Sequence, residues 1–283
     1  MVEPSLHWLK EAGVEWVAAD SPKNYLEFKD DKKPVPAKTA AQQQPIIASK
    51  IQGIAKETAL GMTNNERQKQ VTSQAQSSSL NEAVASARML ADSAKNLGEL
   101  RLAVEEFTGC DLKKTANKTV FADGNPETRL LLIGEAPGAD EDIQGIPFCG
   151  MSGQVLDKVL NSVGLDRNTG FYITNTVFWR PPGNRKPTPE EIAICLPFLE
   201  KHIALVNPKM LVLVGATAVQ AILQDNSAMT KMRGQFYDYK NRYMSHASKV
   251  MVTYHPSYLM RAGLNKRLAW EDMLTLQDFL AAH

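Results

Sequence analysis

The sequence predicts an α/β fold, a mostly parallel sheet with helices on both faces, from about residue 108 onward. Four short apolar runs have the length and β-branched content of buried strands: RLLLIG (129–134), FYITNTV (171–177), MLVLVG (210–215) and KVMVTY (249–254). Helical patterns alternate with them at 152–163, 188–206 and 216–224, and another at 267–281 closes the chain. One helix start is spelled out: Thr188 supplies an N-cap hydroxyl, Pro189 suits the first helical turn, and Glu191 completes a capping box.

The chain ahead of this region is different material. Within segment 1–33, residues 5–18 place Leu6, Trp8, Leu9, Val14, Trp16 and Val17 in a short, roughly amphipathic run. It reads either as a helix that docks on a protein partner or as a marginal helix that frays in isolation. Residues 34–79 are rich in Ala, Gln, Ser, Lys and Thr and offer little to bury, so they are expected to be a disordered linker. Residues 80–107 recover helical periodicity and are expected to form a leading helix, with Gly98 as a break, before the folded domain at 108–283. There is no internal repeat.

With 43% hydrophobic and 22% charged residues, the balance is that of a globular domain. The net charge of +1 does not by itself identify a polyanionic partner, but it is unevenly spread. Residues 101–179 hold 7 basic and 11 acidic side chains, whereas 180–283 hold 13 and 8. Three widely spaced cysteines do not make a disulfide framework. The start, MVEPSLHWLK, lacks the pattern of a secretory signal, and the longest apolar stretch, Met210 to Leu223, is too short for a bilayer. These features predict a monomeric protein of the reducing cytoplasm with no membrane association.

Ligands of open parallel sheets bind outside the carboxyl ends of the strands. Three polar clusters fall at those ends. The first strand runs into Gly134-Glu135-Ala136-Pro137-Gly138 and then Asp140-Glu141-Asp142; the second carries Asn175 and leads to Arg180-Pro181-Pro182-Gly183-Asn184-Arg185; the last runs into His255-Pro256-Ser257-Tyr258-Leu259-Met260-Arg261. Singly, each has a structural alternative: a tight turn for GEAPG, a satisfied buried amide for Asn175, a cap for His255, solvated loop charges for Arg180 and Arg185, core for Phe148. Their convergence on one sheet edge is what points to a site.

Taken together, GEAPGADED, GIPFCGMSGQVLDKVL, YITNTVFWRPPGNRKPTPEE and TYHPSYLMR, in this order and spacing, resemble the family 4 (type 4/5) uracil-DNA glycosylases of the uracil-DNA glycosylase superfamily. The resemblance runs from roughly Cys110 to the C-terminus. It implies a three-layer α/β/α sandwich around a four-stranded sheet, and hydrolysis of the bond between uracil and deoxyribose in uracil-containing DNA, the base being flipped into a pocket. By motif, Phe148 stacks on the uracil, Asn175 reads its edge, His255 stabilises the departing base and Glu135 positions the attacking water. Ala136, Gly138 and Gly153 allow close approach of ligand or phosphate. Tyr258, Leu259, Met260 and Arg261 form a loop that wedges into the duplex, and Arg180, Asn184 and Arg185 contact phosphates.

The sequence departs from that family at its 4Fe–4S cluster. Of the four cysteine positions, two read Phe107 and Trp179, leaving Cys110 and Cys195. A cubane cluster normally needs four thiolates, so no cofactor is expected, and Phe107 and Trp179 are expected to pack as a hydrophobic plug. Where many uracil glycosylases carry a tyrosine that excludes thymine, this chain has Gly138. The alternatives are a non-catalytic DNA-lesion binder on the same fold and, more remotely, a generic nucleotide-binding enzyme. The turn after the first strand lacks both common phosphate-loop patterns, which disfavours the latter.

Overall fold

The computed structural model describes residues 64–282, with side chains from residue 77. The expected docking helix at 5–18 and the linker as far as residue 63 lie outside the described residues. The sheet contains β1 (Asp123–Gly124), β2 (Leu130–Gly134), β3 (Tyr172–Asn175), β4 (Met210–Val214), β5 (Phe236–Tyr239) and β6 (Ser248–Thr253), in the order β1-β3-β2-β4-β6-β5. The four expected strands are its parallel core, β3-β2-β4-β6. Two antiparallel edge strands raise the count to six. β1 is too short to announce itself, and β5 (FYDY) is a half-exposed edge without a continuous apolar run.

Parallel strands covered on both faces are apolar throughout, and every residue of β2 and β4 is buried. Successive side chains point to opposite faces. Leu131, Ile133, Leu211, Leu213, Val250 and Val252 enter one core with α1 (Asn64–Ser93), α2 (Leu97–Glu106), α6 (Pro189–Val206) and α7 (Ala216–Leu223). Leu130, Leu132, Met210, Val212, Val214 and Met251 enter the other with α5 (Met151–Asn161) and α10 (Lys266–Ala282). The short helices α3 (Leu112–Thr115), α4 (Ala139–Gln144) and α8 (Met229–Met232) fall in the connections, and the result is the expected three-layer sandwich. Each fully buried aliphatic side chain contributes roughly 1.5–3 kcal/mol, so the central strands are a rigid platform for whatever their ends carry. No helix of the described residues is long and apolar enough to cross a membrane.

The N-terminal approach differs from expectation in two ways. α1 begins at Asn64, inside the stretch expected to be linker, because its Gln, Ala and Lys residues are adequate helix formers once a packed segment supplies the nucleus. The break falls at residues 94–96 and not at Gly98, which lies within α2. Asn96 sets it: its Oδ1 accepts from Glu99 N–H at 2.9 Å and starts a new helix. Ala87 and Ala91 bury the end of α1, and Ala94 the break beyond it, in the same core as α6, small side chains permitting close approach.

At α6 the written start holds. Thr188 Oγ1 accepts from Glu191 N–H, and Glu191 Oε2 accepts from Thr188 N–H at 2.8 Å. The end of β6 is tied down by a buried pair. Asp272 of α10 accepts from Arg233 at 2.5 Å and from the Thr253 hydroxyl at 2.8 Å, fixing the strand two residues before His255.

Candidate functional site

The carboxyl edge of the sheet is built around one ring. β2 ends at Gly134, where a Cβ would lie 2.3 Å from Phe148 Cζ and 2.6 Å from Asn175 Oδ1; only glycine lets the ring and the amide close over the strand. Phe148 holds a left-handed backbone, φ +53, which costs a non-glycine residue about 1–3 kcal/mol. The loop is over-determined to keep it there. Arg167 donates from Nη2 to the Phe148 carbonyl at 3.0 Å and from Nη1 to the Pro147 carbonyl at 3.1 Å, and is itself held by Asp157 and Asp123. From the other side Glu141 accepts from Gly138 N–H at 3.0 Å and Gly150 N–H at 2.9 Å, pinning the first turn to the Phe148 loop.

Asn175, the last residue of β3, is 1% exposed, and its Oδ1 is a buried acceptor with no partner in the protein. A buried unpaired acceptor costs roughly 1–3 kcal/mol, so it marks a place where a donor is meant to arrive. His255 caps α9 (Pro256–Arg261), its Nδ1 accepting from Ser257 N–H at 3.2 Å with the Ser257 hydroxyl 2.8 Å away. With Nδ1 used as acceptor, the neutral ring carries its proton on Nε2. Burial holds the His255 pKa below the usual histidine value, so the ring is neutral at neutral pH. Its ring lies 5.7 Å from that of Phe148.

These residues wall a cleft of about 170 Å³ together with Glu135, Ala136, Gly138, Asn184, Arg185 and Ser257. The three polar clusters expected to converge therefore do so. Gly153, in the first turn of α5, lies under the Phe148 carbonyl, which a Cβ there would approach to 1.7 Å. Cys149 follows Phe148, and burial raises its pKa, keeping the thiol protonated.

The basic residues are less free than loop charges usually are. Arg185 is bidentate to Glu191, at 2.6 and 2.8 Å, and Arg180 donates to Asn184 Oδ1 at 2.7 Å. Residues 258–261 are not a loop but belong to α9. Leu259 turns inward, 3% exposed, against Tyr254 and Ala269, so it is not at the surface as expected of a wedge. Tyr258 and Met260 are exposed, and Leu264, which the sequence did not single out, is 95% exposed in the turn beyond the helix. Glu141, Arg167 and Ser257 were also missed as supports. Glu141 had a signal, its capping-box spacing from Gly138; Arg167 had none.

Phe107, Cys110, Trp179 and Cys195, the four positions that the resemblance assigns to a cluster, do not fit one. Phe107 and Trp179 are buried, their rings 6.4 Å apart, and Phe198 packs edge-on to Phe107 at 5.2 Å. Trp179 Nε1–H donates to Thr119 Oγ1 at 3.0 Å. Cys110 and Cys195 are buried side by side and share a hydrogen bond, which lowers the pKa of Cys110 and, with burial, raises that of Cys195 well above the usual thiol value. Two thiols remain where four thiolates are needed, and aromatic rings fill the rest. Among the described residues no group of three or more His, Cys, Asp or Glu side chains is arranged to hold a metal ion.

A family model described as the uracil DNA glycosylase superfamily matches residues 121–274. The type-4 uracil-DNA glycosylase of Thermotoga maritima is 38% identical over 180 residues, which cover 62% of this chain and 91% of that protein. The type-4 enzyme of Archaeoglobus fulgidus is 36% identical over 155 residues, 53% of this chain and 76% of that protein. A type-5 uracil-DNA glycosylase of Thermus thermophilus is 38% identical over 114 residues, 35% of this chain and 52% of that protein.

Proposed function

This chain belongs to the uracil-DNA glycosylase superfamily, and from that premise we propose how its own residues carry out the reaction. The protein is a DNA-repair hydrolase that breaks the N-glycosidic bond of uracil in DNA. A base inside a duplex is out of reach, so uracil is flipped into the cleft at a cost of a few kcal/mol, least at a mismatched pair.

The observation that carries the assignment of roles is the orphaned Oδ1 of Asn175. Uracil N3–H satisfies it, while the Asn175 amide N–H donates to uracil O4. Cytosine presents an acceptor and a donor at those two positions, leaving both pairs mismatched; each buried unpaired group costs about 1–3 kcal/mol, enough for strong discrimination. Phe148 offers its face to the ring. His255 Nε2–H donates to O2 as the C1′–N1 bond breaks and its electron pair moves onto the base. A preorganised donor of this kind is worth about 2.7–4 kcal/mol in the transition state. Glu135 orients the water whose oxygen bonds to C1′; it takes up one water proton, and its charge offsets the positive sugar. Ala136, Gly138 and Gly153 keep side chains out of the way of ligand and phosphate. On the DNA side, the exposed apolar groups beyond His255 (Tyr258, Met260 and Leu264) fill the space the base leaves, with Arg261, while Arg180, Asn184 and Arg185 meet the backbone. We further infer that the enzyme acts as a monomer and without an iron–sulfur cluster.

The test is base release from a uracil oligonucleotide at enzyme excess, comparing wild type with Asn175→Ala and His255→Ala. Abasic product from wild type, slowed at least 100-fold in each variant, is expected. Undiminished release by both variants would remove these residues from the chemistry. No release by wild type would instead favour a lesion-binding protein on this fold.

A further inference from the structure

β4 lies between β2 and β6, yet its carboxyl end carries no residue with a role assigned above. The turn that follows nevertheless touches both neighbouring groups. Gly215 adopts φ +99, and a Cβ there would meet His255 Cβ at 3.0 Å, so the turn is pressed against the histidine. Two residues on, Thr217 is in the first turn of α7 and 7% exposed. Its Oγ1 donates to Glu135 Oε2 at 2.5 Å, linking the β4–α7 turn to the β2 turn across the sheet edge. Thr217 follows the N-cap position, which Gly215 occupies, and its hydroxyl proton goes to a carboxylate instead of capping the helix. Thr217 also lines a second cavity of about 150 Å³, with Lys186 and Gln220.

A carboxylate on a three-torsion side chain turns freely about its last bond unless something fixes it. A hydroxyl has one proton to donate, and here it is committed to one oxygen, leaving Oε1 for a water in the cleft that Glu135 lines. We propose that Thr217 is a positioning residue for base excision, holding Glu135 through Oε2 so that Oε1 is presented to the attacking water. The proposal rests on the assignment of Glu135 given above. Reaction rates are sensitive to this kind of placement: an error of 1 Å in a reacting group costs on the order of 100-fold.

The experiment uses the full-length chain and a uracil oligonucleotide at enzyme excess, with Thr217→Val, Thr217→Ser and Glu135→Gln, and the Thr217→Val/Glu135→Gln double variant. Affinity is measured on a duplex whose 2′-fluorinated uridine resists cleavage, and thermal unfolding monitors folding. Thr217→Val should slow excision roughly 10- to 100-fold with unchanged affinity, since the positioned water acts in the chemical step. Thr217→Ser should restore the rate to within about threefold, and Thr217→Val should add little in the Glu135→Gln background. Wild-type speed in Thr217→Val while Glu135→Gln is slow would overturn the Thr217 role alone. So would an equal loss in Thr217→Ser, or an undiminished effect of Thr217→Val in the Glu135→Gln background, both signs of a merely structural part. Wild-type speed in Glu135→Gln would instead overturn the assignment of Glu135, and the proposal with it.

Discussion

Replacing Gly153 by alanine tests whether the cleft depends on the placement of Phe148. The added Cβ would sit 1.7 Å from the Phe148 carbonyl oxygen and 2.2 Å from its carbon, where real contacts begin near 3.0 Å. The obstacle is backbone, so no rotamer change relieves it, and the chain must part by about 1.3 Å. That carbonyl is the acceptor of the 3.0 Å bond from Arg167 Nη2, which a shift of this size breaks. Overpacking costs about 1–3 kcal/mol and a lost bond to a charged donor about 1.5–3 kcal/mol, so destabilisation of about 3–5 kcal/mol is expected. A domain of ordinary stability survives that, and the folded fraction can be assayed. The ring moves with its backbone, and a displacement of that size should lower single-turnover excision on the order of 100-fold. Urea unfolding and base release measure the two effects separately. Gly263→Ala, where a Cβ meets nothing within 4 Å, is the stability control. Excision by Gly153→Ala within threefold of wild type would mean that the platform tolerates displacement or that Phe148 is not the platform.

Other outcomes follow from the same geometry. Trp179→Ala, which removes a fully buried ring and its bond to Thr119, should cost about 3–5 kcal/mol in urea unfolding while leaving excision by the folded fraction within a few-fold of wild type. Prolonged treatment with an iron chelator should change neither the unfolding midpoint nor excision, whereas loss of either would mean that a metal is present. His202 is fully buried against Phe121, with its pKa lowered by burial to about 3. The unfolded chain protonates near 6.5 and the folded one does not, so stability is intact above that value and falls as pH drops from 6.5 toward 3. The loss should reach about 2 kcal/mol at pH 5, and His202→Phe should flatten that slope in urea midpoints taken across the range. Deleting residues 1–63 should leave turnover on oligonucleotides nearly unchanged, because the described fold begins with the helix at Asn64.

What could be read from the sequence was what repeats along it or clusters at a strand end. The four parallel strands are continuous apolar runs because both faces are buried, and the helix at Thr188 carries its own start signal. β5 escaped because an edge strand buried on one side has no such run, and α1 because Gln- and Ser-rich composition argues against burial but not against a helix that, among its described side chains, buries Ala87 and Ala91. The site shows the same division. Glu135, Asn175 and His255 stand at strand ends and were legible. Arg167 reaches the Phe148 carbonyl across 19 residues of sequence and Thr217 reaches Glu135 across 82, and no local pattern encodes such bonds. Leu259 illustrates the converse: it stands in the motif position of a wedge, but its helical turn faces it inward and leaves Tyr258 and Met260 outside.

The aromatic pair ties together the segments that the resemblance assigns to a metal centre. A cluster on four cysteines would join the segment before β1, the stretch after β3 and the second turn of α6. Phe107, Trp179 and Phe198 join the same three segments by burial, each contributing roughly 1.5–3 kcal/mol. Such packing needs no deprotonated thiols, and Cys110 and Cys195 stay as buried free cysteines beside it. Either aromatic alone leaves three of the four thiols a cluster needs. Trp179→Cys alone should therefore destabilise the fold without binding iron. Replacing Phe107 and Trp179 together is the smallest change that returns the four thiols, and purification of that double variant with stoichiometric iron would show that the surrounding backbone still has the shape of a cluster site.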